Sequence, residues 1–188
     1  MNRLKIFILS GPGGGGKTTL INRLFRKGVI KDNFIKGTSF TTREKRPAEE
    51  EGRDYFFVNK EEFLRLKKRN FFLECEKILD DYYGSPKFFY NLAKKEKKNL
   101  ILCIDVKGGM YLKKNFKSGK IATIFIAAPE KELYCRLEKR AEEKEVIKNK
   151  MELAKKELLA AKHYDHLIVN QDIKLSLKTL QAVLLDYL

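Results

Sequence analysis

Gly11-Pro12-Gly13-Gly14-Gly15-Gly16-Lys17-Thr18-Thr19 is the stretch on which the fold turns. The apolar run Leu4-Lys5-Ile6-Phe7-Ile8-Leu9 precedes it, and an amphipathic segment starts after it at Leu20. That order reads as strand, glycine-rich turn and helix N-terminus. It matches G-x-x-x-x-G-K-[ST] through Gly11, Gly16, Lys17 and Thr18. Glycine reaches positive φ without a Cβ penalty, so successive N–H groups can turn inward on a phosphate. The helix dipole adds positive potential at the same place. Lys17 is then expected on the β- and γ-phosphates of a nucleoside triphosphate, and the Thr18 hydroxyl on Mg2+. A merely flexible turn is the alternative reading, and the complete motif in its strand–turn–helix setting argues against it.

Outward from the loop, the 188 residues suit one domain with insertions and a sizeable core. No apolar run approaches the length of a membrane helix. The N-terminal apolar run leads straight into the loop, so it reads as a core strand rather than a signal peptide. Cys75, Cys103 and Cys135 are far apart and form no C-x-x-C pair. They are expected as reduced thiols in a cytoplasmic protein, with neither a zinc site nor a disulfide framework. The chain carries 40 Lys plus Arg against 25 Asp plus Glu, a net charge of +15. The lysines are dispersed in short clusters such as Lys94-Lys95-Glu96-Lys97-Lys98, and no nucleic-acid module emerges. Anionic small-molecule substrates and a solvated lysine-rich surface account for the excess. Oligomeric state is not readable.

Taken in order, the first helix runs from Thr19 to Lys27 with Leu20, Ile21, Leu24 and Phe25 on one face, and Gly28 is expected to end it. Alternation up to Thr42 suggests a short strand, Glu49 to Asp54 a surface turn, and Tyr55-Phe56-Phe57-Val58 another strand. Asn59 is placed to cap a helix reaching Asn70. A strand at Phe71–Glu76, a turn at Asp80-Asp81 and a helix from Lys87 to Lys98 follow. Leu100-Ile101-Leu102-Cys103-Ile104 reads as a buried parallel strand with Asp105 at its C-terminal edge. Then come a short helix to Asn115, a strand at Ile121–Ile126, and a helix opened by Pro129. Charged helix continues from Glu142 to Lys162, before a strand at His166–Asn170 and a closing helix from Lys174. The architecture implied is α/β, a doubly wound parallel sheet. The core spans 1–34, 91–135 and 163–188, with a small antiparallel β lobe inserted at 35–90 and a helical lid at 136–162.

A second constellation lies in the inserted lobe. Ser39-x-Thr41-Thr42-Arg43-x-x-Arg46-Pro47, Gly52-x-Asp54-Tyr55-x-Phe57, Phe72-Leu73-Glu74 and Tyr82-Tyr83-Gly84-Ser85 resemble the guanylate kinases. With the P-loop, Ile104-Asp105-Val106 and Val169-Asn170, the resemblance covers nearly the whole chain. It implies an enzyme that moves the γ-phosphoryl of ATP, with Mg2+, to GMP and dGMP. It implies Ser39, Arg43, Arg46, Tyr55 and Tyr83 on the GMP phosphate, and Glu74, Ser85 and Asp105 around guanine. It also implies Arg136 and Arg140 from the lid over the ATP phosphates, and Asn170 near the adenine. The chemistry agrees with the residue types. Paired arginines hold a dianion through forked, charge-assisted bonds. A carboxylate accepts guanine N1–H and N2–H together, and adenine would leave it unpaired.

Individual residues keep blander readings. Arg43 and Arg46 could be surface arginines, Tyr55 and Tyr83 lobe-core aromatics, and Arg136 an i,i+4 partner of Glu132. Asp105 could instead hold Mg2+ through water. The chain also departs from the family pattern. Cys103 stands for an aspartate, Lys107 for a glutamine, Lys150 for a lid arginine, Gly13 for a serine and Ala48 for a glycine. Two other functions share these motifs: a catalytically silent phosphopeptide-binding module, whose mark would be a damaged P-loop, and a kinase for a small non-nucleotide phosphate, which would lack the base-reading acid.

Overall fold

The computed structural model describes residues 4–117, 119–140 and 143–188. Its centre is a five-stranded parallel sheet in the order β2-β7-β1-β8-β9. The strands are β1 (Ile6–Ser10), β2 (Phe34–Gly37), β7 (Asn99–Cys103), β8 (Ile121–Ala127) and β9 (His166–Val169). The helices are α1 (Lys17–Leu24), α2 (Gly28–Asn33), α3 (Lys60–Lys68), α4 (Lys87–Glu96), α5 (Val106–Asn115), α6 (Glu130–Glu138), α7 (Lys144–Leu158) and α8 (Ile173–Leu185).

The unbroken apolar run of β1 follows from its covering on both faces. Phe7 and Leu9 pack with Leu20 and Leu24 of α1 and Leu180 and Leu184 of α8. Ile6 and Ile8 point the other way, into Ala93 of α4 and Leu112 of α5. Because all five strands run in one direction, their C-terminal ends share an edge. That edge carries the glycine loop, Thr38, Asp105, Ala128 and Asn170, the crevice where doubly wound sheets place ligands.

The inserted lobe is a four-stranded sheet, β4-β3-β6-β5, made of β3 (Phe40–Thr41), β4 (Phe56–Phe57), β5 (Phe72–Ile78) and β6 (Asp81–Pro86). The β3/β6 and β5/β6 pairings are antiparallel and the short β3/β4 pairing is parallel. Helix α3 lays Phe63 onto it, stacked on Phe72 and Tyr82. Its cap is as expected, with the Asn59 side chain accepting from Glu62 N–H at 2.8 Å.

Four boundaries differ from the sequence reading. Phe34–Gly37 pairs in parallel with β7, so the chain enters the lobe after Gly37 and not at Ile35. The four residues, interrupted by Lys36, are too short for periodicity to reveal them. Gly28 opens α2 rather than only ending α1, since the chain turns at Phe25 and re-enters helix. The stretch 49–54 is a surface turn as expected at Glu50, Glu51 and Arg53, but it turns the Asp54 side chain inward and half-buries Glu49. The last difference concerns the lid: α7 ends at Leu158 and a 3-10 turn covers Ala161–His163. Glu142, where lid helix was expected to resume, lies outside the described residues. Helices α6 and α7 meet through Ala128, Leu133, Met151 and Ala154.

Candidate active site

Gly11, Gly14 and Gly16 hold φ of 138°, 85° and 91°, values that L side chains rarely adopt. A Cβ at Gly11 would overlap the Ile126 carbonyl, and one at Gly16 would overlap the Asn170 amide. Gly13 has open space around it, so glycine in place of the usual serine costs the loop nothing sterically. Lys17 Nζ donates to the carbonyls of Gly11 and Pro12, curling back over the loop it serves. Pro12 and Gly15 sit within the wrap, with the Gly15 N–H bonded to the Pro12 carbonyl at 3.0 Å. Thr18 and Thr19 begin α1 behind it.

Two residues from elsewhere in the chain brace this loop. Asn170 Nδ2 donates to the Gly15 carbonyl at 2.8 Å, and the side chain is buried. Arg136 Nη1 donates to the Gly14 carbonyl at 3.3 Å and Nη2 to the Asn170 carbonyl at 2.9 Å. Arg136 also pairs with Glu132 at 3.4 Å, the i,i+4 partner expected of it. Arg140 lies just past the end of α6, on an exposed turn.

Across the crevice, the lobe assembles a second cluster. Glu74 on β5 is buried and accepts from the Ser85 N–H at 3.1 Å and the Ser85 hydroxyl at 2.6 Å. Ser85 Oγ is 3.2 Å from Ser39 Oγ. Asp105 caps α5, its Oδ2 accepting from Lys107 N–H at 2.8 Å and Gly108 N–H at 3.4 Å. Glu74 and Asp105 converge on Gly108, where a Cβ would lie 2.5 Å from Glu74 Oε2 and 3.0 Å from Asp105 Oδ1. Further along the lobe, the Arg43 guanidinium lies 5.5 Å from the Tyr55 ring centroid, and Tyr55 lies 5.9 Å from Tyr83. Arg43 and Arg46 both meet Glu49, at 2.8 and 3.6 Å.

A guanylate kinase family model matches residues 3–187. The guanylate kinase of the Aster yellows witches'-broom phytoplasma is 38% identical over 169 residues, covering 89% of this chain and 79% of that one. That of Mycoplasmoides gallisepticum is 38% identical over 185 residues, covering 97% and 92%. A crystal structure of guanylate kinase from Anaplasma phagocytophilum superposes with a TM-score of 0.76 at 28% identity, covering 98% of this chain and 86% of that one.

The chain belongs to the guanylate kinase family.

Burial sets the electrostatics of this guanylate kinase pocket. It pushes the Glu74 carboxyl up to about 8, against the Ser85 bonds and with help from Asp105. Asp105 is raised by burial and restrained by its two backbone N–H bonds. Glu157 of α7 reaches the same space and is pushed up to about 7 by burial, with Lys17 pulling it down. Burial raises the Cys103 thiol beside Lys17, Lys36 and Thr18, so this position supplies no anion at neutral pH.

Sequence reasoning missed four features here: the inward-facing Glu49, the role of Gly108, Glu157, and a network joining core to lobe. In that network Asn22 of α1 donates to Asp54 Oδ1 at 2.9 Å and accepts from Lys36 Nζ at 2.7 Å. Arg53 Nη2 pairs with Asp54 at 2.7 Å. Arg53 and Asp54 are neighbours in sequence, but Asn22 and Lys36 come from α1 and β2, and no local pattern marks that meeting.

Proposed function

We propose the following division of labour for the transfer of the ATP γ-phosphoryl group to GMP, giving ADP and GDP. The loop amides of Gly11 to Gly16 and the Lys17 ammonium hold the donor phosphates. Asn170 and Arg136 keep the loop in shape, and Arg136 and Arg140 bring positive charge to the transferred group. Arg43, Arg46, Tyr55, Tyr83 and Ser39 bind the acceptor phosphate, and Glu74, Ser85 and Asp105 read the guanine edge. Reaction requires only that the two nucleotides be aligned, screened from water and electrostatically supported, because phosphoryl transfer needs no covalent intermediate.

The observation that carries this reading is the Glu74–Ser85–Ser39 chain, a buried acid whose carboxylate form suits a base that presents paired N–H donors. A silent binding module needs no such group.

The donor set also fits Mg2+. Thr18 offers a hard hydroxyl oxygen and Asp105 a carboxylate reachable through water. No cluster of three or more acidic, histidine or cysteine ligands exists among the described residues. Mg2+ prefers that arrangement, keeping its waters and nucleotide phosphates rather than an all-protein cage. When bound, it neutralises charge on the β- and γ-phosphates.

The lid at 136–162 and the lobe, here bounded at about 38–86, close on the core around the two nucleotides. No helix among the described residues is long and apolar enough to cross a membrane. Cys75, Cys103 and Cys135 are free thiols. The test is ADP release with GMP, dGMP, AMP, CMP and UMP as acceptors. Release with GMP and dGMP alone is expected, and release with none would remove the assignment.

A further inference from the structure

The acid nearest the two acceptor arginines has no assigned role. Glu49 Oε1 lies 2.8 Å from Arg43 Nη2, and Oε2 lies 3.0 Å from the same nitrogen. Oε2 also accepts the Arg46 backbone N–H at 2.9 Å, and the Glu49 N–H returns to the Arg46 carbonyl at 3.0 Å. The Arg46 guanidinium stands 3.6 Å from Oε1. Only 16% of the Glu49 side chain is exposed, and 14% of the Arg43 side chain.

We infer that Glu49 is a positioning residue of the acceptor-phosphate site, holding Arg43 and Arg46 in register for the GMP phosphate. The inference rests on the reading of those arginines as phosphate ligands.

Two like charges three residues apart repel, and each sits on a long stem with several rotatable bonds. A carboxylate between them removes the repulsion and prepays the rotamer cost that phosphate binding would otherwise meet. The opposite role, a carboxylate occupying the phosphate's own place, fits the bonding less well. Glu49 is bound to the backbone of its own turn in both directions, so leaving would break a closed four-residue loop. It engages a single nitrogen of the Arg43 fork. Glu44 takes the other terminal nitrogen through its carbonyl at 2.5 Å, and the Tyr55 and Phe57 rings flank the guanidinium at 5.5 and 5.8 Å. Arg43 is thus held from several sides, as a preorganised ligand needs to be. Burial disfavours the Glu49 charge, yet the Arg43 and Arg46 bonds keep its carboxyl below the usual range, so it stays ionised at neutral pH.

Glu49→Gln and Arg43→Ala are compared with the unaltered enzyme for KM of GMP, KM of ATP, inhibition by guanosine and melting temperature. Glu49→Gln is expected to raise KM for GMP by about ten- to a hundredfold, the usual range for a lost charge-assisted bond. KM for ATP and the inhibition constant of guanosine, which carries no phosphate, are expected to hold. Unchanged KM for GMP overturns the inference, and a lowered KM shows a competitor instead. Equal weakening of GMP and guanosine reduces Glu49 to a structural residue. Should Glu49→Gln melt early, Glu49→Asp, which keeps the charge at shorter reach, is expected to recover part of the GMP affinity; no recovery overturns the inference. Arg43→Ala without effect on GMP sinks the underlying reading, whereas an effect of Arg43→Ala alone sinks only the role of Glu49.

Discussion

The Ser85 hydroxyl donates to Glu74 Oε1 at 2.6 Å, inside a pocket that excludes water from both residues. That one bond does not repay the burial of a charge, and the Glu74 carboxyl is raised to about 8. Glu74 therefore holds a proton at neutral pH. Guanine supplies two N–H donors, which favour the carboxylate and expel that proton. GMP affinity is expected to rise between pH 6.5 and 8 by up to about tenfold per unit, the slope of a single required deprotonation. Calorimetry in two buffers of different ionisation enthalpy counts the released proton. Glu74→Gln should abolish both the slope and the release.

The same group affects stability with a definite sign. Its folded pKa lies above its unfolded value, so the folded chain keeps a proton that the unfolded chain loses. The contribution is fully present at acid pH below the ordinary carboxylate range and fades as pH climbs toward 8. Glu74→Gln is expected to raise the melting temperature at pH 8 more than at pH 5.5. Equal shifts at both pH values would speak against a protonated Glu74.

Lys17 Nζ gives its hydrogen bonds to its own loop, at the Gly11 and Pro12 carbonyls. Lys17→Ala should leave the melting temperature nearly unchanged while lowering kcat by about a thousandfold or more, since a positioned cation on the transferring group is lost. Circular dichroism melts and steady-state turnover check the two halves separately.

The loop and pocket glycines are not equivalent. Gly13→Ser meets nothing within 4 Å and should leave turnover within twofold. Gly108→Ala drives a methyl into Glu74 and Asp105, and should raise KM for GMP while sparing KM for ATP. Parallel titrations of both nucleotides on the two variants give the contrast.

Asp54 joins lobe and core, with its side chain 4% exposed and bonded to Asn22, Arg53 and the Glu50 N–H. Asp54→Ala is expected to cost about 1–2 kcal/mol in urea unfolding, mainly because the Asn22 and Glu50 donors lose their acceptor, since the Arg53 partner stands largely in solvent. Burial opposes the Asp54 charge, and the bonds to Glu50, Arg53 and Asn22 win, lowering its pKa. Its contribution is therefore present above the ordinary carboxylate range and lost as pH falls through the depressed value.

Much of this was readable in advance because it is local. A glycine run between a buried strand and a helix needs no distant partner to be recognised. Asn59, Asp105 and the continuous apolar runs of β1, β7 and β8 announce themselves through spacing and composition alone. Ile35 was misassigned because a four-residue edge strand has no period to read. Glu49 to Asp54 reads as a solvated turn because acidity usually means surface, and so it is at Glu50, Glu51 and Arg53; only Glu49, held by Arg43 and Arg46, and Asp54, held by Asn22 and Arg53, turn inward.

From short-range rules alone, φ preferences and strand and helix periods, came the phosphate loop and the parallel core. The lobe's arginines and acid were legible as acceptor-site candidates only through the resemblance of their motifs to the guanylate kinases. Tertiary structure decided the rest: that Asn170 and Arg136 brace the loop, that Glu74 and Asp105 meet over Gly108, and that Glu49 stands between Arg43 and Arg46. Burial, proton affinity and bonding partners depend on which distant segments come together, and no local pattern carries that distance.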